Sequence, residues 1–133
     1  MFCLDTSTVV DFLRKPPAAL IARVAEATSA GELSISAVVL FELANGALRH
    51  GRPRDQARLN AFLEGGVVVW PFDDDDAWEA ARVRSGLEAD GRGIGPFDTL
   101  IAGQALAKGL VLVTSNTREF SRVSGLRLED WRA

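Results

Sequence analysis

Four short apolar runs punctuate this chain: FCLD at 2–5, LSIS at 33–36, VVVWPF at 67–72 and LVLVT at 110–114. Between them lie longer stretches with helical periodicity. Strands buried on both faces read as unbroken apolar runs, and parallel strands need long, usually helical crossovers. The alternation therefore predicts an α/β fold with a mainly parallel central sheet flanked by helices on both faces. Helices are expected over about 8–14, 18–30, 37–51, 55–65, 74–90 and 97–109, with a short edge strand near Leu126–Leu128.

At 133 residues with no linker, repeat or low-complexity segment, residues 1–133 are expected to form one domain. No apolar run approaches the roughly 20 residues of a membrane span. The start MFCLDTS lacks the positive flank of a signal peptide. A single cysteine, Cys3, permits no internal disulfide, so a cytoplasmic location is expected. One His and one Cys also exclude a Cys/His zinc cluster. A metal would have to be held by oxygen ligands, which favours Mg²⁺ or Mn²⁺.

The net charge of −3 is local in origin. The stretch DDDDAWE (73–79) holds five of the 18 acids, and the rest of the chain has 13 acids against 15 bases. The aspartate run is expected to be an exposed helix start that favours the dipole. Thirteen of the bases are Arg, suited to bidentate phosphate contact. Arg49, Arg52, Arg54 and Arg58 form the densest basic stretch, which is either a solvated surface or an RNA-binding one. Trp78, Phe62 and Phe72 are expected to be core or interface groups rather than base-stacking platforms.

Ligands of open parallel sheets bind at the carboxyl ends of the strands. Asp5 closes the first run, where it either caps a helix or faces such a site. Glu42 lies in VVLFELANGAL, either as a solvated helix glutamate or on a small polar face with Asn45, Gly46 and Arg49. Asp98 follows the glycine-rich GRGIGP loop. Its helical neighbours Ile101, Ala102 and Ala105 form a face built to pack on the sheet. A carboxylate on such a face needs a hydrogen-bond partner or a cation. The last clear strand delivers Thr114, Ser115 and Asn116 to the same edge, with Glu119 soon after. Three acids from separate segments, with no His or Cys cluster, suit one or two divalent cations and phosphodiester hydrolysis.

These pieces also carry a resemblance. LDTS, FELANGA, RSGLEADGRGIGPFDTLIAGQAL, LVLVTSNTREF and VSGLRLEDW, in this order, resemble the PIN-domain ribonucleases, specifically VapC toxins of VapBC toxin–antitoxin pairs. The resemblance implies a metal-dependent endoribonuclease cutting structured RNA, a tRNA or a ribosomal RNA loop, to 5′-phosphate and 3′-hydroxyl ends. It implies a homodimer, inhibition by a VapB-type antitoxin, and contact with operator DNA only through that antitoxin. Carried over, the family acids are Asp5, Glu42 and Asp98, with Thr6 and Ser7 as the polar pair beside the first. Where many members have a fourth acid, this chain has Asn116, with Glu119 one turn on.

Other classes fit less well. A response-regulator receiver needs a late sheet lysine, and the only late one, Lys108, precedes the last long strand. A haloacid-dehalogenase phosphatase wants an acid two residues after Asp5, where Ser7 stands. The remaining rival is a catalytically weak PIN-like module that binds antitoxin and operator DNA.

Overall fold

The first apolar run, Phe2–Leu4 (β1), lies at the centre of the sheet in the computed structural model, which describes all 133 residues. On one side of it pair Leu33–Ser36 (β2) and then Val68–Trp70 (β3). On the other pair Val111–Val113 (β4) and Leu128–Glu129 (β5). The order is β3-β2-β1-β4-β5 and every pairing is parallel, so the sheet is wholly rather than mainly parallel.

Seven helices fill the crossovers. They are Thr6–Arg14 (α1), Ala18–Ser29 (α2), Ala37–His50 (α3), Pro53–Glu64 (α4), Asp74–Ala89 (α5), Pro96–Lys108 (α6) and Thr117–Phe120 (α7). Right-handed connections put those leading outward to β3 on one face and those returning through β4 on the other. Leu4, Ile35, Leu112 and Val113 are fully buried. Each such side chain contributes about 1.5–3 kcal/mol.

The departures from sequence expectation have local causes. Helix α1 begins at Thr6, directly behind Asp5, two residues early. Helix α4 begins at Pro53, whose fixed φ suits a first helical position. The edge strand falls at Leu128–Glu129, where Glu129 accepts from Arg23 (2.9 Å) and from the indole of Trp131 (2.8 Å). Helix α7, only four residues long, was not expected.

One expectation fails outright. The aspartate run is not uniformly exposed, because Asp76 is fully buried. Asp73 and Asp76 form a reciprocal capping box (3.0 Å each way). Asp76 also accepts from Gln104 (2.8 Å) and lies 3.4 Å from the Lys108 ammonium. The Asp-x-x-Asp spacing carried that signal. Phe62 is in the core and Phe72 is half-buried, while Trp78, 68% exposed, lies outside the core, which leaves it the interface alternative.

Close packing of α5 on α6 positions the site. A Cβ at Gly103 would lie 2.4 Å from Ala80 Cα, so the absent side chain lets the helices meet. Gln104 adds a bond to the Pro71 carbonyl (2.9 Å) and one to Asp76, fixing α6 to the end of β3 and the start of α5.

Candidate active site

The sheet order reverses between β1 and β4, and the crevice at the carboxyl ends of such strands is where open parallel sheets hold ligands. Leu4 pairs with Val113, so Asp5 and Thr114 emerge side by side. Asp5 is the N-cap of α1 by position, yet its side chain makes no capping bond. Oδ2 instead accepts from Thr114 Oγ1 (2.8 Å) and Ser7 Oγ (3.1 Å). Oδ1 is buried with no partner. Burial pushes the Asp5 carboxyl above its ordinary range, opposed by those hydroxyl donors.

Strand β2 runs straight into α3, because Ser36 caps it by accepting from the Val38 N–H (3.0 Å). That places Glu42, half-buried, over the same edge. Its Oε1 accepts from Thr6 Oγ1 at 2.6 Å, so it is not a freely solvated glutamate.

Asp98 lies in the first turn of α6 and is half-buried, while Ile101, Ala102 and Ala105 below it are buried. Its carboxyl is raised to about 7, by burial first and then by the charges of Asp5, Glu119 and Glu42. Four acids therefore share one electrostatic environment. A Cβ at Gly95 would come within 3.4 Å of Asp98 Oδ2, so the glycine keeps that carboxylate's space open.

Asn116 and Glu119 act as a unit. Glu119 Oε2 accepts from Asn116 Nδ2 (2.6 Å), and Oε1 accepts from the Gly95 N–H (3.1 Å). The Asn116 N–H in turn donates to Thr114 Oγ1 (3.0 Å). Asn116 thus orients Glu119, and Glu119 ties α7 to the glycine-rich loop before Asp98. The Gly95 tether was not anticipated, because a backbone donor leaves no mark in sequence.

No three His, Cys, Asp or Glu side chains are already closed around an ion position. The residues nonetheless suit a hard cation. The unpartnered Asp5 Oδ1 and the mutually repelling acids are what a divalent ion would satisfy, and all candidate ligands are oxygens.

The four arginines of the basic stretch separate. Arg52 and Arg58 line a groove between α1, α3 and α4 that reaches Thr6 and Glu42, and Arg14 and His50 line it too. Arg49 and Arg54 are exposed and lie outside it. Beside the acids, the rings of Phe41 and Phe97 meet at 5.6 Å between centroids, tilted by 50°, in an apolar patch where they are 54% and 42% exposed.

The model of the PIN domain family matches residues 2–126. The chain belongs to the PIN-domain family. This PIN domain is 40% identical to the tRNA(fMet)-specific endonuclease VapC of Shigella flexneri over 131 residues, covering 98% of this chain and 97% of that protein. It is 37% identical to the protein of the same name from Salmonella typhimurium, with the same coverage. Among solved structures it resembles VapBC2 from Rickettsia felis bound to a DNA fragment from its promoter. The TM-score is 0.91 at 30% identity, with 98% of each chain covered. DNA-bound VapBC from Salmonella typhimurium gives 0.85 at 36% identity, covering 98% of this chain and 97% of that one. The relatives thus place this PIN domain with the VapC nucleases.

Proposed function

We propose that the chain is a metal-dependent endoribonuclease, the toxin of a toxin–antitoxin pair, that hydrolyses a structured tRNA to 5′-phosphate and 3′-hydroxyl ends. The observation that carries this reading is the unpartnered, buried Asp5 Oδ1 beside Asp98, whose carboxyl is pushed to about 7. Acids gathered this way at a ligand-binding edge are costly unless a cation joins them. The substrate class follows the relatives named for tRNA(fMet), and the antitoxin follows the VapBC complexes among the structural neighbours. Operator DNA would be reached through that antitoxin. No helix is long and apolar enough to cross a membrane, and the reading places the reaction in the cytoplasm. The exposed Phe41–Phe97 pair gives a second copy of the chain an apolar face to pack on.

Asp5 and Asp98 would hold Mg²⁺ or Mn²⁺, with Glu42 joining directly or through water. When bound, the ion supplies a Lewis acid for the phosphoryl oxygen and the attacking water. Thr114 and Ser7 occupy Asp5 Oδ2 and leave Oδ1 free. Thr6 fixes the Glu42 carboxylate. Glu119 and Asn116 hold the loop that sets Asp98.

The test incubates purified wild-type chain with a tRNA(fMet) transcript and with an unrelated RNA of equal length. Cleavage of the tRNA at one position in Mg²⁺, with none in EDTA, is expected. Equal cleavage in EDTA would contradict the metal requirement, and equal cleavage of both RNAs would contradict the substrate class.

A further inference from the structure

The groove between α1, α3 and α4 has a volume of about 190 Å³ and opens at one end onto Thr6 and Glu42. Its far end is cationic. Arg14, Arg52 and Arg58 line it with the imidazole of His50, against a single acid there, Asp55, and over an apolar wall that includes Leu13, Leu43 and Leu59. None of the three arginines is in an ion pair, and Arg49 and Arg54 outside the groove are unpaired as well, so it is the groove they border that sets the three apart. Arg58 Nη1 donates to the Leu13 carbonyl (3.4 Å), which holds its guanidinium against the groove wall. Arg14 sits in the last turn of α1. On the α3 side, Gly46 leaves the floor open, since a Cβ there would meet nothing within 4 Å.

Unpaired guanidinium groups bordering a groove call for an anionic occupant with oxygen acceptors. From Glu42 to His50 the helix rises about 12 Å, eight residues at about 1.5 Å each. That is about three to four nucleotides of a stacked strand at roughly 3.4 Å each. We propose that this groove is a phosphate subsite for the RNA substrate, in which Arg52 and Arg58, supported by Arg14 and His50, grip the backbone a few nucleotides from the bond that is cut. The inference rests on the RNA-cleaving reading and deepens it. It divides the arginine-rich stretch into two residues that grip the strand and two, Arg49 and Arg54, that do not.

The subsite also supplies what the acids lack. The acidic end repels a polyanion until a cation is present, while the arginine end attracts it at a distance. A strand anchored at the arginines presents its next phosphates to Asp5 and Asp98.

The test measures binding of a labelled tRNA(fMet) transcript by fluorescence anisotropy, with every protein carrying Asp98→Asn so that the RNA stays intact. Added Arg52→Ala or Arg58→Ala should each weaken binding about tenfold at low salt and reduce the slope of log K against log salt by about one. Arg49→Ala and Arg54→Ala should change binding less than twofold. Transcripts shortened stepwise on either side of the cut should reach a length, on one side only, at which the Arg52 and Arg58 effects vanish. A merely structural role would persist at every length. The inference is overturned if all four arginine variants behave alike, or if the effect does not depend on length. It is also overturned if RNA binding is unchanged while the co-expressed antitoxin washes off at lower salt, which would assign the groove to an acidic peptide. Cleavage of the transcript by wild type, run alongside, separates the two readings. Its absence removes the RNA reading itself, whereas cleavage with indifferent arginine variants removes only the subsite.

Discussion

Asp98→Asn is expected to lower RNA cleavage at least about 100-fold while making the metal-free protein more stable. The two effects share one cause. The native carboxyl of Asp98 is raised from 3.8 to about 7, so the folded state binds its proton more tightly than the unfolded chain does. Stability from this group is fully present below about pH 4 and is lost as pH rises through about 7. At pH 8 the charged Asp98, facing Asp5, Glu119 and Glu42, costs about 2 kcal/mol once solvent screening of a half-buried group is allowed for. Asparagine removes that cost. In EDTA at pH 8 the variant should melt about 5 °C above wild type, and the difference should vanish near pH 4. A variant that melts lower at pH 8 would mean that Asp98 is satisfied within the protein and is not awaiting a cation.

Gly103→Ala should act in the opposite sense to ordinary helix propensity. In an exposed helix, Gly to Ala stabilises by about 1 kcal/mol. Here the added methyl would meet Ala80 Cα at 2.4 Å, Ala80 N at 2.5 Å and Ala80 Cβ at 2.6 Å, and backbone cannot swing aside. Helices α5 and α6 would have to separate, at a cost of about 3 kcal/mol. Chemical denaturation should show a large drop in midpoint. Because α6 carries Asp98, cleavage should fall even where the variant remains folded. A midpoint equal to or above wild type would show that the two helices slide freely past one another, and the positioning of Asp98 by their contact would then be wrong.

Much of this arrangement was legible in the sequence because the acids proposed for the site break local rules. Asp5 ends an apolar run, and Asp98 interrupts a packing face whose other members, Ile101, Ala102 and Ala105, are all buried. Glu42 was less distinct, since a helix glutamate is usually solvated. Only the 2.6 Å bond from Thr6, 36 residues away, separates it from that background. The joining of Asn116 and Glu119 depends on a side-chain amide and a backbone N–H meeting one carboxylate, which spacing alone does not encode. The burial of Asp76 was hidden for a related reason. Four consecutive aspartates look alike until the helix rotation turns one of them towards Gln104 and Lys108. The arginine groove was also beyond sequence, because Arg14 reaches it from α1, more than thirty residues before the Arg49–Arg58 stretch.

On the proposed reading, Asp5, Glu42 and Asp98 together form a seat for a divalent cation used in RNA hydrolysis. The most direct measurement is a Mn²⁺ titration, read by the loss of the free-ion paramagnetic resonance signal, on wild type and on Asp5→Asn. Wild type is predicted to take up Mn²⁺ competitively with Mg²⁺, and Asp5→Asn, still folded, to lose that uptake. Equal uptake by the two proteins, or none by either even with RNA bound, would contradict the account.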